Sequence, residues 1–320
     1  MLLMRSLPRS EDLHRDCEFS RKFYQAWGKV NAILYGSETV AEYVPFTQSL
    51  SIKVCWGGAE RYFVDNRMLH VDDDSYLILN DRRTYASSLH SERPVRSFSI
   101  FFRPGVAEEV LGGMLTPQDC ILDRGGELEC RPVEFSEHLR SHDRLVTPVL
   151  RYIASHVNQG VDDEGWYEEQ LSFLLERMLS SHRHSTQAVR SLPASRSAKR
   201  RELYRRVGWG RDFIHGNYHR PITIDDMANA ACLSKFYFIR LFRALEDVTP
   251  YKYLTQKRVA VAQRLLSTTK LTHVEIAGQV GFDHRSTMYR HVRQATGRSG
   301  RQWRRARRTA DIAAKCEASH

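Results

Sequence analysis

Apolar and polar residues alternate with two different periods along this chain, and the change of period divides it. From about residue 40 to residue 103 the period is two. In LSIKVCW, Leu50, Ile52, Val54 and Trp56 alternate with Ser51, Lys53 and Cys55 ahead of Gly57-Gly58, as a half-buried strand running into a turn would. RYFV (61–64) and RMLHV (67–71) flank Asp65-Asn66, which predicts a hairpin. SYLILN (75–80) and RSFSIFF (96–102) are further runs of strand length. Short strands separated by turn signals predict an antiparallel β sandwich or barrel. Two helices should follow, over about Glu134 to Val157 and about Tyr167 to His182. The second carries Leu171, Leu174, Leu175 and Met178 at helical spacing. Residues 185–202 are polar, basic and contain Ser and Pro, so an interdomain linker is expected there. That leaves 1–184 as a β domain with trailing helices, 203–308 as an all-α domain and 309–320 as a tail.

Within the all-α region a single unit occurs twice. DMANAACLSKFYFIRLFRALEDVTPYKY (226–253) aligns with EIAGQVGFDHRSTMYRHVRQATGRSGRQW (275–303). Ala228 falls on Ala277, Ala231 on Val280 and Leu233 on Phe282; one residue of offset later, Phe238 falls on Met288, Arg240 on Arg290, Phe242 on Val292 and Tyr253 on Trp303. Each copy predicts a helix-turn-helix. Thr223 with Asp226 and Thr272 with Glu275 are capping-box starts for the first helices. Ser234 and Asp283 are N-cap candidates for the second helices, and Thr249-Pro250 starts the helix that joins the copies. Gly281 suits a turn that needs positive φ; Cys232, in the equivalent place, would be less comfortable there.

The second helix of the first copy has two apolar faces. Phe238, Leu241, Phe242 and Leu245 form the stripe that a core requires. Phe236, Ile239, Arg240 and Arg243 repeat the same spacing on another side, with nothing left to bury against. The major groove of DNA offers what that side lacks: phosphates and guanine edges for arginine, thymine methyls for Phe236 and Ile239. In the second copy His284, Arg285, Ser286, Tyr289 and Arg290 occupy the matching face. Lys235, Arg243, Lys252 and Arg293 are the expected phosphate contacts. The joining helix, about 27 Å at 1.5 Å per residue, approaches the separation of about 34–36 Å between successive major-groove segments on one side of a duplex.

Charge sharpens this. Residues 195–320 hold 26 Lys/Arg against 10 Asp/Glu, whereas residues 1–194 hold 22 against 28. A basic C-terminal third on an acidic remainder points to a polyanion partner for that third. No run of 18 apolar residues exists, so no membrane partner is expected, and MLLMRSLPRSEDLHRD lacks the marks of a signal peptide. Cys17, Cys55, Cys120, Cys130, Cys232 and Cys316 show no C-x-x-C spacing; reduced thiols in the cytoplasm are expected.

The order and spacing of ITIDDMANAACLS, RLFR, TPYKYLTQKRVAVAQRLLS, EIAGQVGF and a final G-x-S resemble the DNA-binding domain of AraC/XylS-type bacterial transcription regulators, over about Leu203 to Arg305. The resemblance implies seven helices, with Phe236, Ile239 and Arg240 at first-copy reading positions and Arg285, Ser286, Tyr289 and Arg290 at second-copy ones. The chain departs from the family's pattern at Asp247 (usually glycine), at Gly300 (usually proline), and at Met288 and Val292 (usually aromatic). VDNRMLHVDDDSYLILN and FSIFFRPGVAEEVL are similar, more weakly, to the cupin-like effector or dimerisation domain attached to such regulators.

Enzymatic chemistry has thinner support. His70 and His90 stand alone, His182 and His184 lie at a helix end, and Asp72-Asp73-Asp74 reads as a turn, so neither metal nor cofactor is expected. No P-loop, G-x-S-x-G or G-x-G-x-x-G occurs. Tyr43, Phe46, Trp56, Tyr62, Tyr76, Tyr85 and Phe98 are core rings or the lining of an effector pocket. The expectation is a non-enzymatic, sequence-specific regulator of activator type. Its expected partners are double-stranded promoter or operator DNA, a small-molecule effector, RNA polymerase and a second copy of the chain. A DNA-tethered cupin metalloenzyme and a low-specificity architectural DNA binder remain as alternatives. RRARR (304–308) would add electrostatic attraction.

Overall fold

The computed structural model describes residues 1–7, 26–115, 133–190, 196–297 and Gln302. The chain divides into two compact units, Met1–Arg200 and Arg201–His320.

The first unit is a single eight-stranded sheet with helices. Its strands are β1 (Leu2–Met4), β2 (Ala32–Gln48), β3 (Ser51–Trp56), β4 (Ala59–Val64), β5 (Arg67–Asp72), β6 (Ser75–Leu79), β7 (Arg83–Phe101) and β8 (Leu139–Ser141). They run in the order β1-β2-β7-β3-β6-β8, and β4 leaves this path to pair with β7 and β5. Every pair is antiparallel except β1 with β2. The expected hairpin is present: Val64 pairs with Arg67 across Asp65 (φ 48°) and Asn66 (φ 60°), the left-handed pair that a two-residue turn demands.

Strand β7 organises the unit. Its first half carries β4 and its second half β3, while β2 follows it along the other edge through irregularities at Glu38/Val40 and Tyr43/Phe46. Such irregularities bend strands, and β5 packs over β3 and β6. Alternation along the strands then builds two apolar clusters. One face sends Ile52, Val54, Tyr76, Phe98 and Ile100 against the helices α1 (Val106–Leu115), α2 (Thr147–Asn158) and α3 (Glu164–Arg190). The other encloses Cys55, Tyr62, Val64, Leu77, Leu79 and Tyr85. The aromatic rings that looked equivalent in sequence are thus divided between two sides of the sheet. The acidic run 72–74 is a turn, closed by Asp74 N and Ser75 Oγ donating to Asp72 Oδ1 at 3.1 and 2.8 Å.

One expectation needs correction. Glu134 to Leu145 is not helical. Phe135 and Asn80 exchange hydrogen bonds of 2.7 and 2.8 Å, and Leu139 to Ser141 pair with β6, so the open edge of β6 takes this segment. The helix begins only at Thr147-Pro148, where a proline early in the first turn loses no hydrogen bond. Within residues 185–202, α3 runs to Arg190 and α4 (Ser197–Asn217) begins.

The second unit holds α4, α5 (Ile224–Ala230), α6 (Lys235–Glu246), α7 (Pro250–Thr268), α8 (His273–Gln279) and α9 (Arg285–Thr296). No helix among the described residues is long and apolar enough to cross a membrane. The tail, RRARR and Gly300 lie outside the described residues.

Candidate nucleic-acid interface

Local chemistry starts the first helix of each helix-turn-helix unit and the helix that joins the units. Thr223 and Thr272 form complete capping boxes with Asp226 and Glu275, and both carboxyls sit below their ordinary pKa because threonine N–H and O–H groups favour the charged form. Thr249 Oγ1 accepts from Lys252 N at 3.3 Å at the start of α7, with Pro250 next. Both turns use the left-handed region: Cys232 at φ 51° and Gly281 at φ 81°. At Gly281 a second demand applies, since a Cβ would lie 2.5 Å from the Tyr218 carbonyl oxygen. Ser234 caps α6 in position but makes no side-chain cap bond; His284, not Asp283, occupies that place in α9. The extra turn residue of the second copy shifts the cap by one.

The buried side of α6 is Phe238, Leu241 and Phe242, with Leu245 half-buried. Phe238 and Phe242 meet edge-on at 5.4 Å, and Phe242 meets Tyr253 at 5.4 Å. In α9 the smaller Met288 and Val292 are fully buried in a cluster with Val259, Ala262, Ile276 and Phe282. The departure from aromatic residues therefore leaves that core closed.

The opposite sides carry the predicted readers. Phe236 is 82% exposed, although large apolar side chains are ordinarily inside. Ile239 beside it is half-buried, and the exposed Arg240 holds its guanidinium 5.0 Å over the Tyr237 ring. Arg243 and Lys252 are exposed. Lys235 is exposed but spends its ammonium on Asp225, 2.8 Å away. On α9, His284, Arg285, Ser286, Arg290 and Arg293 are all exposed. Tyr289 differs: its ring lies edge-on to His273 at 5.0 Å and its hydroxyl is enclosed, so it packs at the rim of the core. Helix α7, 19 residues or about 28 Å long, joins the two copies.

A family model described as a helix-turn-helix domain matches residues 227–306, spanning both copies. The chain is 30% identical over 91 residues to the HTH-type transcriptional regulator AlkR of Acinetobacter baylyi, covering 28% of this chain and 30% of AlkR. It is 31% identical over 93 residues to the melibiose operon regulatory protein of Escherichia coli K12, covering 29% and 31%. This chain carries an AraC/XylS-type DNA-binding domain. Each of these alignments spans less than a third of the relative's own length. A solved structure of a transcriptional regulator with an AraC-type DNA-binding domain, from Chromobacterium violaceum, aligns at 23% identity over 35% of this chain and 96% of that one, with a TM-score of 0.31.

What sequence reading missed in the AraC/XylS-type domain is the set of long-range polar contacts that hold α4, α6 and α7 in place. Arg211 on α4 pairs with Glu246 at the end of α6 at 2.8 Å. Burial is the largest single influence and opposes the Arg211 charge, but Glu246, Tyr253, Tyr204 and Asp212 together outweigh it and raise the pKa. His215 Nε2 meets the Tyr253 hydroxyl at 2.8 Å. Arg258 on α7 donates from Nε and Nη2 to the carbonyls of Tyr218 and Arg220, both at 2.7 Å. These partners stand 35 to 40 residues apart, beyond any local pattern.

Proposed function

We propose that this protein is a sequence-specific DNA-binding transcription regulator of activator type that reads two successive major-groove segments through α6 and α9. The observation carrying this is the pairing of Phe236, 82% exposed, with Arg240 on a helix whose other side is fully buried. An exposed apolar ring beside a guanidinium suits a groove offering methyl groups and base edges together. Base reading is assigned to Phe236, Ile239, Arg240, His284, Arg285, Ser286 and Arg290, with Arg243, Lys252 and Arg293 on phosphates. Lys235 can join them once DNA competes with Asp225. Tyr289 becomes a buttress for α9 rather than a reader.

The N-terminal unit is assigned to sensing a small molecule and to pairing with a second copy, and RNA polymerase is the partner that activation requires. Buried Lys53, 3.4 Å over the Phe101 ring, supports the sensing role, as does Gln48 Nε2, buried without a hydrogen-bond partner among the described residues. Such unmet polarity inside a sheet is expensive unless something completes it.

Gel-shift titration with operator and random DNA tests the reading. Arg240→Ala should lower discrimination between the two by about 1–3 kcal/mol, while Lys252→Ala weakens both alike. Equal losses on both DNAs for Arg240→Ala would defeat it.

A further inference from the structure

Where β8 hands over to the first turn of α2, the N-terminal unit has an open cleft of about 490 Å³ lined by His142, Asp143, Arg144, Thr147, Pro148 and Arg151. Its one carboxylate is already committed. Asp143 Oδ1 accepts from Leu145 N and Val146 N at 2.7 Å each, and Oδ2 accepts from the Tyr76 hydroxyl at 2.6 Å. Thr147 Oγ1 accepts from Asp143 N at 3.0 Å and lies 3.1 Å from His142 Nδ1. Its own hydrogen is thus available to that nitrogen.

The cations of the cleft are not committed. Arg144 and Arg151 are exposed and have no ion pair among the described residues. Arg140, two residues before the cleft, buries its guanidinium beside the Tyr76 hydroxyl. Three other arginines of this unit are held by acids: Arg83 by Asp65 and Glu137, Arg103 by Glu109, Arg5 by Asp162. Two unmatched guanidinium groups facing one cleft, on a unit whose sequence is acidic overall, mark a place for an anion.

We propose that this cleft binds a small oxyanion, a phosphate- or carboxylate-bearing molecule held between Arg144 and Arg151. Arginine's planar donors match both oxyanions, so the geometry names the shared chemistry. His142 is the built-in reporter. Burial and the neighbouring Arg151 charge lower its pKa, against the pull of Asp74 and Asp72; its ring stacks on Tyr76 at 6.1 Å. An anion beside Arg151 offsets that positive charge, so binding and His142 protonation favour each other. This site is separate from the enclosed face holding Lys53 and does not depend on the DNA-binding assignment.

The test is calorimetric titration of the full chain with inorganic phosphate and with citrate, at ionic strength matched by chloride. The reading helices also attract anions, so Arg240→Ala/Arg290→Ala is compared with Arg144→Gln/Arg151→Gln, with thermal denaturation showing that each variant folds. Saturable binding that survives in the first pair and weakens at least tenfold in the second supports the site. An upfield or downfield movement of the His142 imidazole resonance that saturates with the same ligand supports it independently. Preference for phosphate over citrate, or the reverse, supports it and selects the source of the oxyanion. Binding unchanged in Arg144→Gln/Arg151→Gln, binding lost in Arg240→Ala/Arg290→Ala, or a response that never saturates overturns it.

Discussion

Gly210 on α4 faces Phe238 on α6 so closely that a Cβ would lie 2.5 Å from the ring's Cε2 and 2.6 Å from its Cζ. A glycine inside a helix costs about 1 kcal/mol relative to alanine, and here the loss has a physical return. The missing side chain lets the ring seat against α4, and from there Phe242 and Tyr253 continue an edge-on series to α7. Helix α6 is therefore placed by a close approach to α4.

Gly210→Ala should destabilise the C-terminal unit by about 1–3 kcal/mol despite its better helix propensity, because overpacking displaces the ring. Thermal denaturation measures this. A raised Tm would mean that the ring has room to move aside.

The next residue along supplies the polar half of the same anchor. Glu246→Gln leaves the Arg211 guanidinium without its counter-charge, at a cost of about 3 kcal/mol. Urea denaturation at neutral pH reads it directly. A loss below about 0.5 kcal/mol would place the pair among surface bridges that contribute little.

Asp247 ends α6 at φ 56°, and fifty residues later Gly297 ends α9 at φ 69°. Only the second copy has the residue suited to that conformation. Asp247→Gly should stabilise by about 0.5–1 kcal/mol, and Gly297→Asp should cost a similar amount. Opposite signs for the two exchanges in chemical denaturation are the signature; matching signs would contradict it.

Lys53 makes stability depend on pH. Burial among the Phe101 and Tyr85 rings pushes its ammonium well below the usual lysine range, while Glu60 only partly pulls it back up. The unfolded chain keeps the ordinary value and binds the proton more tightly. Stability of the N-terminal unit should consequently rise with pH from the folded pKa upward and level off near about 10.4. Lys53→Met should be more stable at pH 7 and should lose Lys53's share of the rise. Identical pH profiles for the wild-type and variant unfolding transitions would rule this out.

Sequence legibility followed the range of the interactions involved. Thr223 with Asp226, Thr272 with Glu275, and Asp65-Asn66 were readable because capping and tight turns act over two to four residues. Phe236 and Arg240 were readable because the repeat showed which face of each helix was already used for the core. The segment from Glu134 to Leu145 was not readable: its backbone is satisfied by β6 and Asn80, about sixty residues back. Neither was the enclosure of Tyr289, which needed the position of His273 on another helix.

The chain by itself determined that two helix-turn-helix units exist, where the helices capped by Thr223, Thr249 and Thr272 begin, and which sides of α6 and α9 are left out of the core. Periodicity, caps and charge are local properties that one strand of text contains. Only the tertiary structure decided which aromatic rings share a face of the bent sheet, that Gly210 admits Phe238, and that Arg144 and Arg151 line a cleft whose one carboxylate, Asp143, is already hydrogen-bonded. Those facts depend on which distant backbones approach one another, and close packing, unlike periodicity, leaves no mark at fixed spacing.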